Sequence, residues 1–295
     1  MQEEVTGAGA AGAAGAALGD SPAISRHRLG VLGWPVAHSR SPAMQNAALR
    51  ELGLRDWRYQ HLPVPPELFE QTTRALGGAG FVGANVTIPH KQAALALATT
   101  ASAAAREIGA ANTLTFAGDG AVAAENTDAP GLVAAMGEPP AGRRALVLGA
   151  GGSARAAVWA LREAGAAEVL VCNRTRERAE ELARELGAGA VAAPVAAEVL
   201  VNCTSVGLTQ REGELQALGL EAGRMGDYEL VVDLVYGGGR ETELLRAARA
   251  AGARTVDGLE VLVAQGALSL EAWTGRKAPL AVMREAAAGG AESAS

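Results

Sequence analysis

Apolar runs closed by Gly, Pro or polar clusters divide the chain into short elements. Residues 28–32, 57–61 and 83–87 alternate or accumulate β-branched and apolar positions over four to six residues, the length and pattern of strands. Helical spacing fits a stretch starting near Ala43 and stretches at 66–76 and 102–108. A hairpin follows, one strand ending at Phe116 and the other at Glu125, around the turn Gly118-Asp119-Gly120. A helix is expected at 130–136. After the Pro- and Gly-rich loop 138–142 the character changes. Residues 145–148, 168–172, 199–202 and 229–235 are almost wholly apolar, as strands buried on both faces are. Helices at 155–164 and 241–251, a short strand at 255–256 and a long helix at 258–273 complete the order. Strand, glycine turn, helix and strand in this spacing form a βαβ unit of a parallel sheet. With that unit complete, the long last helix is expected to pack back on the first half of the chain.

Composition adds limits. The chain has 295 residues, 49% of them hydrophobic and only 3% aromatic, so its cores must be built of Ala, Val and Leu. Its net charge of −6 comes without a basic block, which disfavours nucleic acid and anionic membranes as partners. Residues 1–26 are Gly/Ala-rich without a basic start or an apolar centre, and read as a disordered tail outside the fold. No run is long and apolar enough to span a bilayer, and the cytoplasm is the expected location. Cys172 and Cys203 lack a CxxC partner and read as reduced thiols; the four histidines have no metal-ligand spacing, so no metal is expected. Nothing in the sequence decides between a monomer and a homodimer.

Several segments carry candidate chemistry. In Asn85-Val86-Thr87-Ile88-Pro89-His90-Lys91 a strand gives way to a helix, with Pro89 suited to a first turn. Lys91 then lies near a helix N-terminus, where a cation gains nothing from the dipole. That placement hints at use, although a lone lysine there also reads as a solvated turn residue. Ser39 and Ser41 precede a helix; one is explained as a cap, and the second is free to hold a ligand carboxylate or hydroxyl. Asp128, just ahead of Pro130, reads on its own as an N-cap. Gly149-Ala150-Gly151-Gly152-Ser153-Ala154 has the Gly-x-Gly-x-x-Ala spacing that brings a dinucleotide pyrophosphate to a helix N-terminus. An NAD site would carry an acid at the tip of the next strand. Here the tip reads Asn173-Arg174-Thr175-Arg176-Glu177-Arg178, and forked permanent cations match a 2′-phosphate, favouring NADP.

Taken together, these segments resemble the shikimate dehydrogenase family, the NADP-dependent enzymes of aromatic amino acid biosynthesis. The likeness runs from about residue 28 to residue 279. It rests on the serine loop 33–42, the lysine segment 85–91, Gly109-Ala110-Ala111-Asn112-Thr113, Asn126-Thr127-Asp128, the glycine turn, the arginine segment, Asn202-Cys203-Thr204-Ser205 and Val261-Leu262-Val263-Ala264-Gln265. The resemblance implies two α/β domains. One is an N-terminal substrate domain of residues 27–127 completed by the C-terminal helix within 259–288; the other is a Rossmann-type NADP-binding domain of residues 128–258. It implies reduction of 3-dehydroshikimate to shikimate by NADPH, with Lys91 and Asp128 as the catalytic pair. Ser39, Ser41, Thr87, Asn112, Asp128, Tyr236 and Gln265 would hold the substrate. Gly149, Ala150, Gly151, Gly152 and Ser153 would bind pyrophosphate, and Asn173, Arg174, Thr175 and Arg178 the adenosine 2′-phosphate. Leu234 and Gly258 would line the nicotinamide side. Gln45 stands where the family often has His, and Ala103 where it often has an acid. The rivals are an NAD-preferring quinate/shikimate dehydrogenase and a non-enzymatic NADP(H)-binding sensor. The arginines speak against the first, and the presence of both Lys91 and Asp128 against the second.

Overall fold

The computed structural model describes residues 27–208, 212–236 and 241–289. The tail 1–26 and the glycines 237–239 lie outside them. In chain order the first unit comprises β1 (His27–Gly33), α1 (Ser41–Glu51), β2 (Trp57–Pro63), α2 (Phe69–Leu76), β3 (Phe81–Val86) and α3 (Lys91–Leu97). It continues with β4 (Thr100–Ala101), α4 (Ala103–Ile108), β5 (Thr113–Phe116) and β6 (Val122–Glu125), and α5 (Asp128–Met136) then leads into the second unit. The second unit holds β7 (Arg144–Leu148), α6 (Gly152–Glu163), β8 (Glu168–Cys172), α7 (Arg176–Leu186), β9 (Gly189–Val191) and β10 (Val199–Asn202). After it come α8 (Glu214–Ala217), β11 (Leu230–Asp233), α9 (Glu243–Ala250), β12 (Arg254–Val256), α10 (Gly258–Thr274) and α11 (Leu280–Gly289).

Two sheets result. The second is wholly parallel in the order β12-β11-β10-β7-β8-β9, the doubly wound dinucleotide-binding arrangement, with its switch point between β7 and β10. Its central strands are buried along their length, and their Val, Leu and Ala pack against α5, α6 and α7 on one face and α8 and α9 on the other. The first sheet is mixed, β2-β1-β3-β5-β6-β4: β1, β2 and β3 run parallel, and the hairpin β5–β6 enters antiparallel beside β3. This makes the two units different in kind, although both are α/β.

The chain's end returns to the first sheet. Leu262, Val263, Leu270 and Trp273 of α10 and Met283 of α11 share a core with Leu29, Val31, Met44 and Tyr59. The indole N–H of Trp273 donates to the Leu114 carbonyl at 3.0 Å. Asp257 starts α10 by accepting from the amides of Leu259 and Glu260. Further along, α10 crosses α5 at Gly131, where an added Cβ would lie 2.7 Å from the Gln265 backbone nitrogen. Only a glycine permits that approach, and it sets Gln265 beside the start of α5.

Several boundaries differ from the sequence expectation for local reasons. Helix α1 begins at Ser41, because Pro42 fits its first turn. A 3-10 turn at Pro66–Leu68 precedes α2. Pro89 stands ahead of α3, whose first residue is Lys91 itself. Helix α6 begins inside the glycine motif at Gly152, and α5 begins at Asp128.

Candidate active site

Three chain segments meet at Lys91. The lysine opens α3 after the end of β3; Asp128 opens α5 after the end of β6; Ser153 lies in the first turn of α6 after β7. Lys91 Nζ donates to Asp128 Oδ2 at 2.7 Å and to Ser153 Oγ at 2.9 Å. The lysine and aspartate side chains are only 10% and 18% exposed, so water competes weakly for this pair. Asp128 is not the cap of α5: the Asn126 side chain accepts from the Ala129 amide, which leaves the Asp128 carboxylate free to face the lysine.

Asn112 locks this arrangement from the start of the hairpin. Its Nδ2 donates to Asp128 Oδ1 at 2.8 Å and to Gln265 Oε1 at 3.1 Å, and its Oδ1 accepts the Thr127 amide at 2.7 Å. Below it, Asn85, Thr113, Thr127 and Ser269 form a buried hydroxyl–amide layer, with Asn85 Nδ2 on Ser269 Oγ at 2.8 Å and Tyr59 donating to Asn85 Oδ1 at 2.8 Å. The sequence reading gave this supporting layer no role. The signals were present in Asn85 within the lysine segment and in Ser269 one helical turn beyond Gln265.

Above the pair lies a cavity of about 160 Å³ lined by both units. Ser39, Ser41, Thr87, Asn112, Asp128, Tyr236 and Gln265 all border it, as do Leu234 and Gly258. In its lining Ser39 Oγ accepts the Ser41 amide at 3.3 Å and donates to Ser41 Oγ at 3.2 Å. One serine thus meets the first helix amide and the other extends a hydroxyl cluster, which Tyr236 joins beside Ser39. Burial raises the Tyr236 phenol above its usual range, so it stands as a neutral hydroxyl. His38, also on the cavity, has its pKa lowered by burial and by His61.

A larger groove, about 660 Å³, continues along the carboxyl ends of the parallel strands. Gly149, Ala150, Gly151, Gly152, Asn173, Arg174, Thr175 and Arg178 line it. Cavity and groove share Ile88, Lys91, Cys203, Thr204 and Ser205, so Lys91 stands where they join. Gly149 takes a φ of +112°, and a Cβ at Gly151 would meet nothing within 4 Å, which leaves the approach to the N-terminus of α6 open. An open glycine turn, free first-turn amides and two guanidiniums at the tip of β8 fit a phosphorylated dinucleotide. Arg176 is engaged elsewhere, by Glu180 at 2.7 Å. Burial pushes the Cys203 thiol up, so it stands as a neutral thiol beside the pair. Among the described residues no group of His, Cys, Asp and Glu could hold a metal ion.

At the end of β11, Asp233 accepts from Thr242 Oγ1 at 2.7 Å, Asn202 Nδ2 at 2.9 Å and the Val235 amide at 3.1 Å, which pins the cavity wall at Leu234. Burial nevertheless raises its pKa from 3.8 to about 6. The folded state therefore holds this proton more tightly than the unfolded chain. Stability from this group is fully present below about pH 4, falls as pH rises to about 6 and is flat above, a span of roughly 3 kcal/mol. Urea unfolding of the native protein and of Asp233→Asn across that range checks it. The free-energy difference between them should shift toward the variant as pH rises, and a pH-independent difference would refute the assignment.

Comparison with known proteins agrees with this architecture. Residues 31–114 match the shikimate dehydrogenase substrate binding domain, residues 133–204 the shikimate / quinate 5-dehydrogenase family and residues 258–288 the shikimate 5'-dehydrogenase C-terminal domain. A shikimate dehydrogenase (NADP(+)) of Anaeromyxobacter dehalogenans is 48% identical over 273 residues, spanning 87% of this chain and 94% of that one. The shikimate 5-dehydrogenase of Thermus thermophilus, solved in complex with NADP(H) and shikimate, superposes with a TM-score of 0.78 at 43% identity, over 88% of this chain and 98% of that one. A 5-ketofructose reductase of a Gluconobacter strain shares the fold at TM-score 0.76 and 32% identity, covering 88% and 97% of the two chains. With near-complete coverage and relatives close to half identical, the chain belongs to the shikimate dehydrogenase family.

Proposed function

We propose that this enzyme reduces 3-dehydroshikimate to shikimate with NADPH, using Lys91 as proton donor and Asp128 as its partner. The family assignment gives the reaction and the cofactor. The observation that carries the residue roles is the 2.7 Å Lys91–Asp128 contact at the junction of cavity and groove.

NADPH, when bound, supplies the hydride. Gly149 to Ser153 would hold its pyrophosphate at the N-terminus of α6, Asn173 to Arg178 its 2′-phosphate, and Leu234 and Gly258 would border its nicotinamide side. The Lys91 ammonium donates a hydrogen bond to the substrate carbonyl oxygen, stabilises the alkoxide that develops there and transfers a proton to it. Asp128 holds the ammonium and accepts from a substrate hydroxyl. Ser39, Ser41 and Tyr236 receive the carboxylate, and Thr87, Asn112 and Gln265 the remaining polar groups. Substrates lacking those groups leave buried donors and acceptors unpaired, which is how the cavity discriminates. The reaction belongs to the cytoplasm and involves small molecules rather than nucleic acid, in keeping with the net charge of −6. No described helix is long and apolar enough to cross a membrane. We assign residues 27–127 with 259–288 to the substrate domain and 128–258 to the NADP-binding domain.

The test is a four-way steady-state assay: shikimate and quinate, each with NADP+ and NAD+. Shikimate with NADP+ should be preferred in both comparisons. Preference for quinate or NAD+ would overturn the substrate or the cofactor reading respectively. Within the same assay, Arg174→Ala should raise KM for NADP+ by about tenfold or more, the loss of a charge-assisted phosphate contact, and change KM for NAD+ little. Equal losses would show that Arg174 does not read the phosphate.

A further inference from the structure

The glycine turn touches the catalytic lysine as well as the groove. A Cβ added at Gly152 would lie 2.7 Å from Lys91 Cβ and 3.1 Å from its Cδ, so the aliphatic stem of Lys91 rests directly on this residue's backbone. The next residue, Ser153, accepts from Lys91 Nζ at 2.9 Å. Two consecutive residues of α6 therefore contact the lysine, one along its stem and one at its head. Ser153 is the second residue of α6, so its backbone N–H is one of the amides without an acceptor within the helix. Its side chain and its amide thus serve different partners.

We infer that Ser153 is a positioning residue for the Lys91 ammonium, its hydroxyl fixing the proton donor while its backbone amide remains for the pyrophosphate. The inference rests on the catalytic role given to Lys91 above. An ammonium has three N–H donors. Asp128 Oδ2 takes one and Ser153 Oγ a second. With two directions taken, the third is defined and is left for the substrate oxygen. Without Ser153 the head of a long, flexible side chain has one anchor and can swivel about the Asp128 contact. Misplacement of a proton donor by about 1 Å costs turnover rather than ground-state binding. A simple pyrophosphate ligand would behave in the opposite way, because its loss weakens the cofactor and leaves bound-state chemistry alone.

The experiment uses the full chain with NADP+ and shikimate. Ser153→Ala, Ser153→Thr and Lys91→Ala are compared by steady-state kinetics, and NADP+ binding to each is measured by calorimetric titration. Ser153→Ala should lower kcat by about tenfold, with KM for shikimate and Kd for NADP+ within about twofold of native. Ser153→Thr, which restores the hydroxyl, should recover most of kcat. An unchanged kcat in Ser153→Ala, or a raised NADP+ Kd with unchanged kcat, would overturn the inference, and so would failure of threonine to rescue. If Lys91→Ala itself keeps normal turnover, the underlying catalytic reading fails; if only Ser153→Ala does, the positioning role alone fails.

Discussion

Lys91→Ala should lower kcat by about a thousandfold or more and leave KM for shikimate within a few-fold. In the proposed mechanism two contributions vanish together: the proton delivered to the developing alkoxide, and the positive charge that stabilises it in a site where the lysine is only 10% exposed. Both act on the transition state more than on bound substrate, so they appear in kcat. The hydroxyl and amide groups proposed to hold shikimate are untouched. The substitution also strands the Asp128 carboxylate, and breaking a buried pair is strongly destabilising. Lys91→Met, which keeps most of the stem that covers Gly152, guards against reading a folding defect as a catalytic one. Both variants should bind NADP+ by titration while failing to turn over. A near-native kcat in either folded variant would remove Lys91 from the mechanism.

The parallel sheet was legible because its strands, such as Ala145-Leu146-Val147-Leu148, are uninterrupted apolar runs, a pattern that short loops and glycine punctuation isolate cleanly. Strands β4 and β9, two and three residues long, were not, since neither carries a period. Helices α1, α5 and α6 start two to three residues earlier than their spacing suggests, for a common reason. In each, a Pro or Gly near the start is part of the first turn, and at α5 the side chain expected to cap, Asp128, has other partners. Asp128 is the clearest case: spacing alone makes it a cap, and only the tertiary approach of α3 gives its carboxylate a lysine. The site residues could be proposed from their motifs, but the supporting layer could not. Asn85, Thr113, Thr127 and Ser269 are ordinary polar residues in the sequence, and their meaning comes from the crossing of α10 over α5 and the hairpin. Ser153 shows the same limit, because a glycine-motif residue in sequence became a lysine contact once two distant segments met.

Asp128→Asn should lower kcat by about a hundredfold or more and raise KM for shikimate as well, because in the proposed mechanism Asp128 serves both the lysine and a substrate hydroxyl. The substitution is almost isosteric, and its effect follows from donor and acceptor count. One carboxylate oxygen accepts from Lys91 Nζ and the other from Asn112 Nδ2. A carboxamide has only one acceptor oxygen, and its NH2 must face one of those two donors. If the NH2 faces Lys91, the ammonium is pushed off its position; if it faces Asn112, the contact that ties Asp128 to Gln265 is lost. Neither rotamer restores the negative charge opposite the ammonium. Kinetics with shikimate and NADP+, together with calorimetric binding of NADP+, separate the outcomes. The expected pattern is a joint loss in kcat and KM with cofactor affinity near native. A kcat within tenfold of native would mean that the 2.7 Å contact is an ordinary structural ion pair, and that the proton reaches the substrate without help from this carboxylate.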